Sequence, residues 1–353
     1  MKILITGGAG FIGSALIRYL IDYTDHEILN YDALKYSGNL KSLQLIEKSS
    51  RYNFIEGDIC DAKLLKETLE AFQPNGVMHL AAESHVDKSI DNADPFIQTN
   101  IVGTYTLLSS CQEYLNLSSS DIANHFTFLH VSTDEVYGDI DPSEPPCSEL
   151  HAYDPSSPYS ASKASSDHLV RSWHKTYNFP AVITNCSNNY GPFHYPEKLI
   201  PHVILSAIHG KNIPIYGDGQ QIRDWIFVDD HVKGLVLAFV KGQHGQTYNI
   251  GASNEIKNID IVIKICELLE ELVDDKPEGV KKFTDLIVYA KDRPGHDRRY
   301  TINSSKIQNN LGWKVEESFE SGLRKTVQWY LENKTWWQLI MQQSYTLERI
   351  GSD

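Results

Sequence analysis

The sequence predicts an α/β protein: a doubly wound parallel sheet of the Rossmann type joined to a smaller lobe that binds substrate. Three observations carry this. The chain opens on a continuous apolar run, Lys2–Thr6, that passes at once into Gly7-Gly8-Ala9-Gly10-Phe11-Ile12-Gly13. Short β-rich runs then alternate with longer helical patterns through the first half of the chain. The alternation stops after Tyr190, where Gly191-Pro192, Pro196, Pro201, Pro214 and Gly217-Asp218-Gly219 break the chain into shorter pieces.

Taken in order, Lys2–Thr6 reads as a strand buried on both faces, because it is apolar without alternation. A helix follows from Phe11 to about Asp22. Further strands are expected near Glu27–Tyr31, Tyr52–Glu56, Val77–Leu80, Phe126–Ser132 and Ala181–Cys186. Right-handed crossovers between such strands give a parallel sheet with helices on both faces. Asp229–Val240 reads as a helix returning to that sheet and Thr247–Ile250 as its last strand. The expected division is therefore residues 1–190, with a returning segment near 229–251, for the dinucleotide-binding body. Residues 191–228 and 252–353 make the second lobe.

The 353 residues carry 46 acidic against 32 basic side chains, a net charge of -14. A field of that sign repels polyanions, so neither nucleic acid nor an anionic membrane is an expected partner. No apolar run approaches the ~18 residues of a spanning helix, and the apolar N-terminus is too short for a signal core, so a cytoplasmic protein is expected. The five cysteines stand singly and the histidines show no ligand spacing, so neither a disulfide framework nor a metal is expected.

The glycine run follows the first strand and opens the first helix. Glycine suits that place because the turn is tight, a Cβ would block a pyrophosphate, and helix must pack closely on strand. The helix N-terminus offers free amides and the positive end of a dipole to phosphate. Asp32 ends the second predicted strand, 19 residues after Gly13, where a carboxylate accepts both ribose hydroxyls and repels a 2′-phosphate. NAD is thus expected over NADP. Gly7, Gly10, Phe11, Ile12, Gly13 and Asp32 are cofactor candidates. Asp58-Ile59 and Leu80-Ala81-Ala82, at the C-terminal ends of later strands, join them.

Tyr159-Ser160-Ala161-Ser162-Lys163 begins a helical stretch, and positions four apart share a face. A lysine ammonium beside a phenol favours phenolate, so the pair predicts a Tyr159 pKa drawn down toward neutrality and a base for a sugar hydroxyl. Thr133 follows the fifth predicted strand at a ligand-facing position, about 26 residues before the tyrosine. Next to it stand Asp134 and Glu135, in Ser132-Thr133-Asp134-Glu135-Val136-Tyr137-Gly138. Two neighbouring carboxyls can divide acid and base work if their surroundings differ.

Glycine loop, Thr133, Tyr159 and Lys163, in this order on these elements, resemble the extended short-chain dehydrogenase/reductase family over essentially the whole chain. The T-D-E triplet narrows the resemblance to nucleotide-sugar 4,6-dehydratases. Glu83–Ser89, Asn188–Pro192, Pro196–Pro201, Gln221–Trp225 and Asp292–Asp297 are similar to that group as well. Lys88, where arginine is expected, is a small departure, as is the loop around His194. The resemblance implies a substrate, a nucleoside-diphosphate hexose with dTDP-glucose favoured over UDP-glucose. It implies oxidation at C4 with Tyr159 as base, Thr133 as orienting group and NAD as acceptor. Glu135 then acts as base at C5, Asp134 as acid for the C6 hydroxyl, and C6 is reduced last. Lys35, Thr99 and Asn189 are further implied cofactor contacts, alongside Tyr159 and Lys163. Arg223 and Arg293 are implied phosphate ligands. Ser84, His85, Thr133, Asn188, Lys198, Leu199, Tyr216, Asn258 and His296 complete the implied substrate site. A homodimer is implied through two helices per subunit, around Asn100–Tyr114 and Tyr159–Tyr177. Remaining alternatives are a UDP-glucose 4,6-dehydratase, another nucleotide-sugar epimerase or dehydratase, or a non-catalytic NAD-binding regulator; the two carboxyls argue against an epimerase and the Tyr–Lys pair against the regulator.

Overall fold

A computed structural model describes residues 1–343 and residue 347. Its centre is a seven-stranded sheet made of β1 (Lys2–Thr6), β2 (Glu27–Asp32), β3 (Tyr52–Glu56), β4 (Gly76–His79), β5 (Thr127–Thr133), β6 (Ala181–Cys186) and, much later, β10 (Thr247–Ile250). The strand order is β10-β6-β5-β4-β1-β2-β3, and each pair is parallel.

Alternation along β1 shows how the body is held. Ile3 and Ile5 face Leu16, Leu20, Val232, Leu235 and Phe239 on one side of the sheet. Leu4, pointing the other way, joins Leu65, Leu107 and Leu108. Both faces are therefore dry, which is why the strand reads as an unbroken apolar run. The order reverses between β1 and β4, and the crevice above that switch point is where open α/β sheets bind ligands. The helix Pro158–Tyr177 starts at Ser157, whose side chain accepts from the Ser160 amide while Ser160 reaches back, and it ends on Asn178 in the left-handed region, φ 53°.

The second lobe has its own core, in which Ile200, Val203 and Ile204 of the helix Leu199–Ile208 meet Ile261 and Ile265 of Asn258–Leu272 and Leu323 of Phe319–Glu332. Its strands are β7 (Asn188–Tyr190), β8 (Ile213–Tyr216), β9 (Ile222–Phe227), β11 (Glu255–Lys257) and β12 (Ile287–Ala290), in a three-stranded sheet β11-β9-β7 and a pair β12-β8. Two segments depart from the expected division. Asn188–Tyr190 pairs with β9 in the small sheet rather than joining the large one. The helix Ser305–Leu311 and Trp313, expected in the second lobe, return to the large body because Ile307, Leu311 and Trp313 bury among Ile3 and Val232. Trp313 Nε1 also donates to the Asp230 carbonyl at 2.9 Å. The last part of the expected lobe, 344–346 and 348–353, lies outside the described residues. Among the described residues no helix is long and apolar enough to cross a membrane.

Candidate active site

The sheet's C-terminal edge forms a long groove, lined by every residue the sequence nominates for the cofactor, from Gly7 to Asn189. Gly7 sits at φ +75°, and a Cβ on it would meet the Ala81 backbone; a Cβ on Gly13 would collide with the Gly7 carbonyl oxygen. The first helix begins at Gly10 with no side-chain cap, so the amides of its first turn, at Phe11 and Ile12, border the groove without a competing side-chain oxygen. Asp32 accepts from the Ala9 amide and the Leu34 amide, each at 2.8 Å, one through each carboxylate oxygen. Each oxygen keeps a lone pair for a hydroxyl. Lys35 donates to Thr99 Oγ1 at 2.9 Å and lies 3.3 Å from Asp58, tying three groove segments together. Narrow glycine turn, uncapped helix start and buried acceptor fit a dinucleotide of the NAD type.

Thr133, Asp134, Glu135, Tyr159 and Lys163 line the same groove. Thr133 ends β5, and its Oγ1 accepts from the Glu135 amide and donates to Asp134 Oδ1, both at 3.3 Å. Tyr159, in the first turn of its helix, hydrogen-bonds Thr133. The expected lowering of its phenol is not what the structure shows. Burial, then the Glu135 carboxylate, raises Tyr159 well above the ordinary tyrosine value, and Lys163 donates to the Val131 carbonyl at 2.8 Å rather than to the phenol. Any help from Lys163 must therefore act through its charge across one helical turn.

Asp134 is 3% exposed and its Oδ2 has no partner. Burial first, then Glu135 and Asp224, push its carboxyl well above the usual range. Burial also raises Glu135, but Arg293, Arg223 and Lys198 oppose it. Both carboxyls are raised, but Glu135 is opposed by three cations where Asp134 has mainly anionic neighbours, an asymmetry that favours the proton on Asp134.

A second cavity adjoins the first and contains Ser84, His85, Asn188, Lys198, Leu199, Tyr216, Arg223, Asn258, Arg293 and His296. Of the nominated substrate residues, Thr133 alone lies in the first groove only. Arg293 pairs with Asp87 at 2.9 Å, yet its buried Nε has no partner. Tyr216 donates to the other Asp87 oxygen at 3.2 Å. Arg223 is stacked 4.2 Å over the Tyr300 ring and spends donors on the Ile222 and Asp297 carbonyls. Lys198 donates to the Ser84 carbonyl at 3.1 Å, and the side-chain oxygens of Asn188 and Asn258 are buried without partners. Burial, with cationic neighbours, drives His85 to about 2 and His296 to about 4, so both are neutral near pH 7 and neither is a ready base. Among the described residues no group of three or more metal-ligating side chains occurs.

Sequence reasoning missed two neighbours. Glu197 accepts from Tyr36 at 2.8 Å and lies 3.6 Å from both His85 and Lys88, bridging groove and cavity. Its place beside Lys198 in Pro196–Pro201 was the available signal. His194 stacks on Phe11 at 4.3 Å, and nothing in its sequence context announces that contact.

The model of a family described as GDP-mannose 4,6 dehydratase matches residues 4–326. A dTDP-glucose 4,6-dehydratase of Escherichia coli is 55% identical, with 99% of each chain covered. Another, of Neisseria meningitidis serogroup B, is 56% identical with the same coverage. Among solved structures, a dTDP-glucose 4,6-dehydratase of Streptomyces venezuelae with NAD and dTDP bound superposes with a TM-score of 0.86 at 40% identity, covering 96% of this chain and 100% of that one.

Proposed function

The chain belongs to the GDP-mannose 4,6 dehydratase family, and from that premise we propose that it is an NAD-dependent enzyme converting dTDP-glucose to dTDP-4-dehydro-6-deoxyglucose and water. One observation carries the reading beyond the family: Glu135 lines both cavities at their junction, with Asp134 beside it on the groove side. A carboxyl pair there serves elimination, and a simple epimerisation has no use for it.

Bound NAD supplies a reversible acceptor for the sugar's C4 hydrogen. Thr133 holds O4, and Tyr159, which burial and Glu135 raise and which therefore depends on the nearby charge of Lys163, takes its proton as C4 is oxidised. The resulting carbonyl acidifies C5–H, which Glu135 removes. Asp134, whose carboxyl is raised by burial and by its anionic neighbours, gives its proton to O6, and water leaves. Glu135 returns a proton to C5 as C6 is reduced. Lys198, Arg223 and Arg293 face the diphosphate, with the free Arg293 Nε as the unspent donor. Asn188 and Asn258 offer buried oxygens to the sugar and base, and Tyr216 borders the base. The remaining groove residues hold the cofactor in the roles the sequence assigns.

The same reading includes a cytoplasmic homodimer. Tyr105 and Tyr177, 49% and 56% exposed on the helices Thr104–Leu117 and Pro158–Tyr177, support the two-helix contact. UDP-glucose remains the second substrate to test, since one methyl group on the base is worth only about 1–3 kcal/mol. Purified protein incubated with each nucleotide sugar should yield the alkali-induced absorbance of a 4-keto-6-deoxy product, faster with dTDP-glucose. No product from either rejects the assignment.

A further inference from the structure

We propose that Asp167 is a positioning residue for the redox step: it keeps Lys163 cationic inside the core and seats it against β5. The proposal rests on the function above. Asp167 lies one turn beyond Lys163 on the helix Pro158–Tyr177, on the same face. Asp167 is 0% exposed and Lys163 5%. An ammonium so buried loses its hydration and tends toward the neutral amine unless an anion stands near. Burial does lower Lys163, and Asp167 is the leading influence against it.

The carboxylate is built to stay ionised. It accepts from His130 Nε2 at 3.0 Å, Ser132 Oγ at 3.0 Å and Tyr153 OH at 2.8 Å. Against the cost of burial these donors, with Lys163, hold it below the usual carboxylate range. Two of the three donors sit on β5, beside the Val131 carbonyl that Lys163 grips and the Thr133 that holds O4. Helix and catalytic strand are thus clamped by one carboxylate and one ammonium, on consecutive turns.

The other titratable groups facing the pair leave Asp167 as its negative charge. His79 on β4 and His130 on β5 are pushed down by burial, with Asp167 acting against that on His130. Cys186 on β6 is pushed up to about 12 and stays a thiol. Arg171, on the same helix, bonds the Tyr153 hydroxyl. Asp134 and Glu135, in the turn after β5, border Tyr159 and raise it.

Asp167→Asn keeps the size and removes the charge. Lys163 then loses its proton more readily, and Tyr159 loses the help of that cation. In NAD-loaded enzyme turning over dTDP-glucose, the acid limb of the kcat profile should move up by at least about one pH unit. That is about tenfold in rate near neutrality, recovered at alkaline pH, with KM little changed. Tyr153→Phe removes a donor but no charge and should leave the limb in place. A purely structural role would lower kcat at every pH in both variants, and a limb unmoved in Asp167→Asn overturns the proposal. Should that variant fail to fold, Asp167→Glu decides: an unmoved limb with a lower plateau supports the proposal, and a shifted limb overturns it. Wild-type enzyme inactive on both nucleotide sugars would instead reject the function itself.

Discussion

The groove and the second cavity meet at Glu135, yet they are built by different means. The groove is made of backbone: glycines that bring strand and helix together, amides of an uncapped helix start, and an aspartate fixed by two more amides. The cavity is made of side chains drawn from distant segments, with Arg293 reaching Asp87 and Lys198 reaching the Ser84 carbonyl. Backbone recognition fails by sterics, all at once. Side-chain recognition fails by degrees and responds to charge and pH. The contrast orders what substitutions should do.

The junction comes first. Glu135→Gln should cut kcat by about 10²–10⁴-fold, the usual weight of a positioned base, while nucleotide-sugar binding persists and reduced nicotinamide accumulates. Stopped-flow absorbance checks this, and wild-type turnover contradicts the base assignment. In the groove, Gly13→Ala places a Cβ against a backbone oxygen that cannot step aside. It should weaken NAD binding by about 3 kcal/mol or more, at the upper end of overpacking costs, as titration calorimetry would show; unchanged affinity would mean the turn is looser than its geometry. In the cavity, Arg293→Met should raise KM by about 10–100-fold with kcat mostly kept, since a charge-assisted contact is worth about 1.5–3 kcal/mol. A drop in kcat alone would place the arginine at the reaction instead of the diphosphate.

The smallest effect concerns stability. Asp224, in β9, is 0% exposed with one unpartnered oxygen, and burial raises it to about 6. A carboxyl whose pKa is higher folded than unfolded favours the native state while protonated. That contribution is present at acid pH and lost as pH rises from about 4 through about 6. Asp224→Asn, neutral throughout and still able to accept the Asn254 amide that Asp224 accepts at 2.7 Å, should remove the loss, worth on the order of 2 kcal/mol above that range. Denaturation curves of the two proteins across pH should then diverge above about 5; parallel curves contradict it.

The same contrast explains what the sequence made legible. Lys2–Thr6, Ala181–Cys186 and Thr247–Ile250 fold as strands with the expected bounds, because buried parallel strands announce themselves by composition, and the half-exposed edge strand Tyr52–Glu56 does so as well. The glycine loop, Asp32 and the carboxyls after Thr133 line the groove as expected, because each is placed there by the end of its own strand. Tyr159's raised pKa was not legible, since it depends on Glu135 and on burial by other elements. Glu197, bridging Tyr36, His85 and Lys88 across more than a hundred residues, is a product of tertiary packing. So is the return of Trp313 to the large core.

Isotope tracing tests the account's centre most directly, namely that one bound nicotinamide borrows and returns the sugar's own hydrogen while Asp134 and Glu135 expel water. With dTDP-glucose carrying deuterium at C4, the product should hold that deuterium at C6, and in deuterated water C5 should take its label from solvent. Deuterium still at C4, or lost from the product, would contradict it.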